Sequence, residues 1–358
     1  MDMSQYEPSF SGTIADTYQE SIPAWPPLPE GLGGANVITI VFDDMGFAHP
    51  SCFGSAIPTP NIDRLAGSGL RYTGFHTTAL CSPSRASLLT GRNHHSVGMR
   101  GVSNWNTGFP NMRGGITPAA ATIAEVLRER GYATLCAGKW HLAPMEECTA
   151  AGPHTNWPLQ KGFDRFYGFL NGETDQFYPE LTRDNQHILP PRSPEEGYHL
   201  TEDLIDQSTT WIRDLRSVRP DRPFYLYLAF GAQHAPHHAP DSYLAKWRGA
   251  FDEGWDVHRE RVFARQKEMG IIPRDTTLAM RNPGVRPWDE LSANEKLFAC
   301  RLQEAFAAML DHTDAQIGRL LSFLDEMQMS DNTMIVLLSD NRSEEHTSEL
   351  QSPMYLVC

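Results

Sequence analysis

Four apolar runs of this chain each end in side chains able to do chemistry on an anion. NVITIVF (36–42) leads into Asp43-Asp44, and YATLCAG (132–138) into Lys139 and His141. FYLYLAFG (224–231) leads to His234, and TMIVLLS (333–339) into Asp340-Asn341. Asp43, Asp44, Asp340 and Asn341 offer hard oxygen donors, suited to Ca²⁺ or Mg²⁺ rather than to a thiophilic metal. Three carboxylates crowded at one point repel unless a cation or protons lie between them. Neighbouring side chains on a strand point to opposite faces, so Asp43 and Asp44 reach one ion only where the strand is ending, and Gly46 would permit the turn. Lys139 and His141, two apart, fall on one side of an extended segment. With His234 they supply donors and a proton carrier for an anionic group. Taken singly, DD and SDN also read as strand-to-loop caps and GKWH as a polar turn. His237 and His238 read as surface-loop histidines.

A fifth stretch, LCSPSRASLLTGR (80–92), holds a candidate nucleophile. Pro83 suits the first turn of a helix and so places Cys81 at a helix N-terminus, where free N–H groups favour an anion. Arg85 follows one turn later and its guanidinium can return to the same point. A cysteine in this place is either a small buried residue or an activated thiol.

Such residues meet only if a fold carries them to one rim. In open α/β sheets, ligands bind beyond the carboxyl ends of the strands. The four runs are short, apolar and rich in β-branched residues, as strands covered on both faces are. Helical spacing predicts helices over 117–131, 201–217 and 294–328. The first has Thr117 as N-cap before Pro118, Ile123, Val126 and Leu127 on one face, and Gly131 as its stop. The last carries Leu297, Cys300, Leu302, Ala305, Met309 and Leu310 on a broad face. The alternation implies an α/β fold, a mainly parallel central sheet flanked by helices on both faces. Residues 1–35, rich in Pro, Gly and Ser, read as an irregular lead-in. Residues 149–200 and 246–290 lack a clear period and read as long excursions. In the first of these, Trp157, Phe163, Phe166, Tyr167, Phe177 and Tyr178 either line a pocket mouth or pack the excursion onto the sheet.

Composition narrows the function. The 358 residues allow one large domain or two smaller ones. A net charge of −14 argues against nucleic acid as a partner. A local cluster of Arg, Lys, His and metal can still hold a small anion. No apolar run is long enough to span a bilayer, so no membrane partner is expected, and no signal peptide is visible. The six cysteines are scattered without framework spacing, and a reduced, cytoplasmic protein is the simplest expectation. The oligomeric state is not legible.

The string at 80–92 resembles the sulfatase signature, Cys-x-Pro-Ser/Thr-Arg followed by Leu-Thr-Gly-Arg. NVITIVFDDMGF, TPNIDRLAGSGLRYTGFH, AGKWHL, PFYLYLAFGAQHAPHHAP and IVLLSDN fall in that family's order. The resemblance covers roughly residues 36–341 and is strongest to bacterial arylsulfatases of the alkaline phosphatase superfamily. It implies a catalytic domain over 36–341 that hydrolyses a small sulfate ester. It implies that a formylglycine-generating or sulfatase-maturing enzyme oxidises Cys81 to formylglycine (3-oxoalanine), whose hydrated aldehyde attacks sulfur. On the same basis Asp43, Asp44, Asp340 and Asn341 would hold one Ca²⁺ together with an oxygen on residue 81, and Arg85 would steady that residue. Lys139 and His234 would bind the sulfate oxygens, His234 also assisting the leaving group. His141 would orient the hydrate and help collapse the sulfated intermediate. Phosphonate monoester and phosphodiester hydrolases of the superfamily can use the same site, and the motif leaves them open. A non-catalytic protein that keeps the fold is the third reading.

After Asn341 the chain departs from the family, which continues with Gly and a small-residue turn and later adds another substrate-binding Lys and a C-terminal subdomain. RSEEHTSELQS resembles the translation of a common sequencing adapter. Residues 342–358 are therefore expected to be non-native and the domain C-terminally truncated. The 358-residue polypeptide itself is expected to be unstable or nearly inactive, while the uninterrupted parent gene is expected to encode an active enzyme.

Overall fold

A computed structural model describes residues 10–24, 34–282 and 284–341. The expected non-native tail, 342–358, lies outside the described residues. Within the lead-in, residues 10–24 form one antiparallel bridge, Thr13 to Ile22, and no regular element.

Seven strands make one sheet: β1 (Asn36–Phe42), β2 (Ala133–Lys139), β3 (Arg165–Phe169), β4 (Leu181–Arg183), β5 (Gln186–Ile188), β6 (Phe224–Ala229) and β7 (Thr333–Ser339). Their order is β5-β4-β3-β2-β6-β1-β7. The four runs that lead into chemistry-bearing residues occupy four adjacent places, β2-β6-β1-β7, all parallel. Their carboxyl ends therefore share one rim. β3 extends the parallel set beside β2, and β4 and β5 close that edge antiparallel.

The apolar runs are continuous because the sheet is buried on both faces. Ile38, Ile40 and Phe42 of β1 join Leu226 and Leu228 of β6 in one core, under α1 (Pro60–Ser68), α4 (Leu200–Val218) and α7 (Ala293–Glu326). Val41, Tyr225, Tyr227 and Cys136 join the opposite core, under α2 (Cys81–Thr90) and α3 (Ile123–Glu129). β7 lies at the edge and buries its residues less completely.

Several elements differ from what spacing predicts. α3 starts at an N-cap of Thr122, not Thr117, because Thr122 and Glu125 satisfy each other's backbone N–H groups in a capping box. Its buried residue is Ala124, while Ile123 and Val126 are exposed. In α7 the first turns stand clear of the core, leaving Leu297 exposed, and burial begins at Ala299. The excursion over 149–200 contains β3, β4 and β5; the latter two have three residues each, too few to show a period. The excursion over 246–290 contains α5's end and a fifteen-residue helix, α6 (Gly254–Glu268), with charges scattered round it; α5 is Asp241–Lys246. Trp157, Phe163, Phe166 and Tyr167 are fully buried, so packing, not a pocket mouth, claims them; Phe177 stacks on His238 and Tyr178 is exposed. Among the described residues no helix is long and apolar enough to cross a membrane.

Gly138, one residue before the catalytic end of β2, is required by close packing against β6. Its φ is +103°, and a Cβ there would stand 1.7 Å from the Ala229 carbonyl oxygen. Gly67 in α1 has open space around it. Gly138→Ala is expected to destabilise the fold by about 3 kcal/mol or more. Gly67→Ala is expected to be neutral or stabilising by up to about 1 kcal/mol. Urea unfolding of the two variants beside the parent checks both.

Candidate active site

The rim is drawn together by the backbone before any side chain meets. Asp43 N–H donates to the Ala232 carbonyl at 2.9 Å, and Gln233 N–H returns a bond to the Asp43 carbonyl at 2.6 Å. These bonds zip the loop after β6 to the loop after β1 and bring His234 beside Asp44. Asp340 N–H donates to the Phe42 carbonyl at 3.0 Å, and Met45 N–H to Ser339 Oγ at 3.0 Å. The turn after β1 is made by Asp44 itself, at φ +61°, and not by Gly46, which has no positive φ. A left-handed aspartate costs some strain, and it lets two adjacent carboxylates face one point.

Asp43, Asp44 and Asp340 are all buried, and one carboxylate oxygen from each lies within 4.8 Å of the others. Two buried cations balance them. Lys139 Nζ donates to Asp43 Oδ2 at 2.5 Å, and Arg85 Nε to Asp340 Oδ2 at 2.7 Å. A second Arg85 nitrogen donates to the Lys139 carbonyl at 3.0 Å. Asn341 Nδ2 donates to Asp44 Oδ1. His234 donates from Nδ1 to the Ala235 carbonyl at 2.7 Å, so Nε2 faces Asp44 Oδ2, 3.8 Å away. Glu173 Oε2 lies 3.7 Å from His234 Nδ1.

Cys81 is the first residue of α2, as Pro83 implies. Its Sγ lies 3.0 Å from His141 Nδ1. Lys139 and His141 converge for a different reason from the one expected. His141 is not extended but stands at φ +51°, which swings its ring from the end of β2 back over α2. On the far side of the ring, Nε2 lies 2.7 Å from Asn104 Oδ1. Nothing in the sequence marks Asn104. It sits in an irregular loop, and it reaches the site because Ser103 N–H bonds to Ser82 Oγ at 3.0 Å.

Burial sets the protonation states. It would raise Asp43, but Lys139, His234 and Arg85 outweigh it and hold that carboxyl below its usual value. Burial and the charge of Asp43 push Asp44 up to about 7. Burial, opposed by Arg85, leaves Asp340 at about 6. The His141 imidazole is driven well below its usual value by burial and then by Lys139 and Arg85, and so is neutral. Burial pushes the Cys81 thiol up to about 12, against the pull of Lys139. That direction disfavours the activated-thiol alternative.

The donor set fits a hard divalent cation. Among the described residues three carboxylates meet two fixed cations, the donors are all oxygen, and Asp43 Oδ1 has no hydrogen-bond partner. A cation at that point would relieve the repulsion among the three carboxylates. A separate cavity of about 240 Å³ lies between the 47–57 loop and α6. None of the nine residues singled out by the sequence lines it.

Strand ends that gather an acidic cluster, two buried cations and a helix-start cysteine make a candidate active site at one rim of a mainly parallel α/β sheet. The sulfatase family model matches residues 35–351, and the chain belongs to the sulfatase family. It is 36% identical over 334 residues to an uncharacterized sulfatase of Schizosaccharomyces pombe, covering 86% of this chain and 58% of that protein. It is 32% identical over 321 residues to an arylsulfatase of Klebsiella aerogenes, covering 86% of this chain and 66% of that one. The chain thus spans about three fifths of the length of these relatives. Among solved structures, the PsFucS1 sulfatase from Pseudoalteromonas gives a TM-score of 0.55 at 23% identity, covering 86% of this chain and 55% of that one. A phosphonate monoester hydrolase of Agrobacterium radiobacter gives 0.53 at 19%, covering 88% and 66%. At those identities the likeness is one of fold.

Removing one partner of a buried ion pair strands the other. Lys139→Met in chelator-treated protein is expected to cost about 3–5 kcal/mol, and adding Asp43→Asn to recover part of that loss. Denaturant unfolding of the two single variants and the double variant measures the coupling; additive losses would show that the pair is not what stabilises the rim.

Proposed function

We propose that this chain carries the catalytic centre, over residues 36–341, of a sulfate-ester hydrolase acting on small aryl sulfates, with Cys81 converted to formylglycine beside one bound Ca²⁺. The state of Cys81 carries the reading. Burial pushes its thiol up to about 12, which disfavours the thiolate, yet it occupies the helix start at the focus of Arg85, Lys139, His141 and three carboxylates. Formylglycine, as its hydrate, supplies the hydroxyl that such a site needs and can re-form a carbonyl to release sulfate. Family membership and the Klebsiella arylsulfatase relative support the sulfate-ester class.

Asp43, Asp44 and Asp340 would hold the cation, which supplies Lewis-acid stabilisation of charge on the transferred group. Asn341 would join them by turning its amide, since Nδ2 now faces Asp44. Arg85, fixed by Asp340 and the Lys139 carbonyl, keeps a positive charge one turn from residue 81. The Lys139 ammonium has three N–H donors; one goes to Asp43, leaving two for sulfate oxygens. His234 Nε2, when protonated, binds a sulfate oxygen and hands its proton to the leaving group. His141 Nδ1 orients the side chain at 81 and accepts a proton from it. Cys81 is 8% exposed, so a maturing enzyme must reach it before the chain closes over it.

The test is co-expression with a formylglycine-generating enzyme, followed by mass spectrometry of the Cys81 peptide and by rates with an aryl sulfate and an aryl phosphonate. The expected result is a peptide mass lowered by thiol-to-aldehyde conversion, faster sulfate hydrolysis, and a loss of at least about a thousandfold in Cys81→Ala. A persistent thiol sinks the maturation step, and a preference for the phosphonate sinks the substrate class.

A further inference from the structure

His141 is held on every side. Its backbone N–H donates to the Leu170 carbonyl at 3.0 Å, and its φ is +51°. A Cβ on Gly172 would come within 2.8 Å of the ring's Cε1, so the ring face rests directly on that glycine. The two ring nitrogens have different neighbours. Nδ1 faces Cys81 Sγ at 3.0 Å, and Nε2 faces Asn104 Oδ1 at 2.7 Å.

A neutral imidazole carries one N–H, and the partner of one nitrogen decides where it sits. A side-chain carbonyl oxygen only accepts hydrogen bonds. Facing Asn104 Oδ1, Nε2 must carry the proton, and Nδ1 is left with its lone pair toward residue 81. The opposite tautomer would turn an N–H toward a sulfur, a weak acceptor, and leave the amide oxygen without a donor.

We propose that Asn104 is a positioning residue that fixes His141 as the Nε2–H tautomer, so that Nδ1 is a standing acceptor for a proton from the side chain at position 81. Asn104 acts through His141 and touches no reacting atom. Partners behind a functional histidine commonly change activity by about 10–100-fold. The kinetic consequence rests on the sulfatase reading above; the tautomer does not.

Two measurements separate the two claims. The first is ¹⁵N NMR of histidine-labelled protein with Cys81 unmodified, the His141 signals being assigned by their loss in His141→Gln. The parent is expected to show a protonated Nε2 and an unprotonated Nδ1. Asn104→Ala is expected to show a tautomer mixture, and Asn104→Asp, which keeps an acceptor, the parent pattern. An Nδ1–H tautomer in the parent overturns the proposal even if no variant folds, and so does an unchanged spectrum in Asn104→Ala. The second is kinetics of the matured enzyme on an aryl sulfate. Asn104→Ala is expected to lower kcat by about 10–100-fold with KM within about twofold, and Asn104→Asp to recover most of the loss. An unchanged kcat in Asn104→Ala also overturns it. Should no matured form hydrolyse sulfate, the functional reading fails while the NMR result still decides the role of Asn104.

Discussion

Five buried charges must be held at one point of this protein without water: the carboxylates of Asp43, Asp44 and Asp340 and the cations of Lys139 and Arg85. Desolvating any one of them alone costs several kcal/mol, so each is tolerable only with its partners in place. That requirement explains features with no other role in the fold. It explains why Asp44 takes a left-handed backbone, and why loop backbones after β1, β6 and β7 bond to one another instead of to solvent. Among the described residues the carboxylates outnumber the cations. Burial raises Asp44 to about 7 and Asp340 to about 6, and a divalent cation at this point would displace those protons and offset the repulsion among the carboxylates.

The same burial defines what Cys81 is. A helix terminus and two nearby cations would ordinarily lower a thiol's pKa, and here they lose to desolvation and to Asp43 and Asp340. The residue is therefore inert as a thiol while standing where a nucleophile belongs. His141, neutral and clamped between Asn104 and Gly172, waits beside it as an acceptor. On the proposed reading, position is supplied by the fold and reactivity by oxidation of the residue.

Much of this was legible in the amino-acid order, because its signals are local. β1, β2 and β6 are buried on both faces and β7 only in part, and all four read as continuous apolar runs with candidate site residues within a few positions of their ends. Pro83 marks the start of α2, and the signature around Cys81 is compact. What escaped depends on distant partners. β4 and β5 are too short to show a period and exist only through pairing, β4 with β3 and β5 with β4. The start of α3 was misplaced because two N-cap candidates lie five residues apart and only one has a glutamate to complete it. Gly46 looked like the turn after β1, but the strain falls on Asp44, whose carboxylate gains from it. Asn104 carries no local mark at all; it becomes significant only when a loop hydrogen bond to Ser82 lays it against His141.

On the proposed reading the rim carboxylates surround one hard cation beside residue 81. Anomalous diffraction from crystals soaked in Mn²⁺, a Ca²⁺ and Mg²⁺ surrogate with strong anomalous signal, locates that ion directly. One peak per chain is expected, bonded to oxygens of Asp43, Asp44 and Asp340 at distances of about 2.0–2.6 Å. A peak elsewhere, or none at this cluster under saturating Mn²⁺, would contradict it.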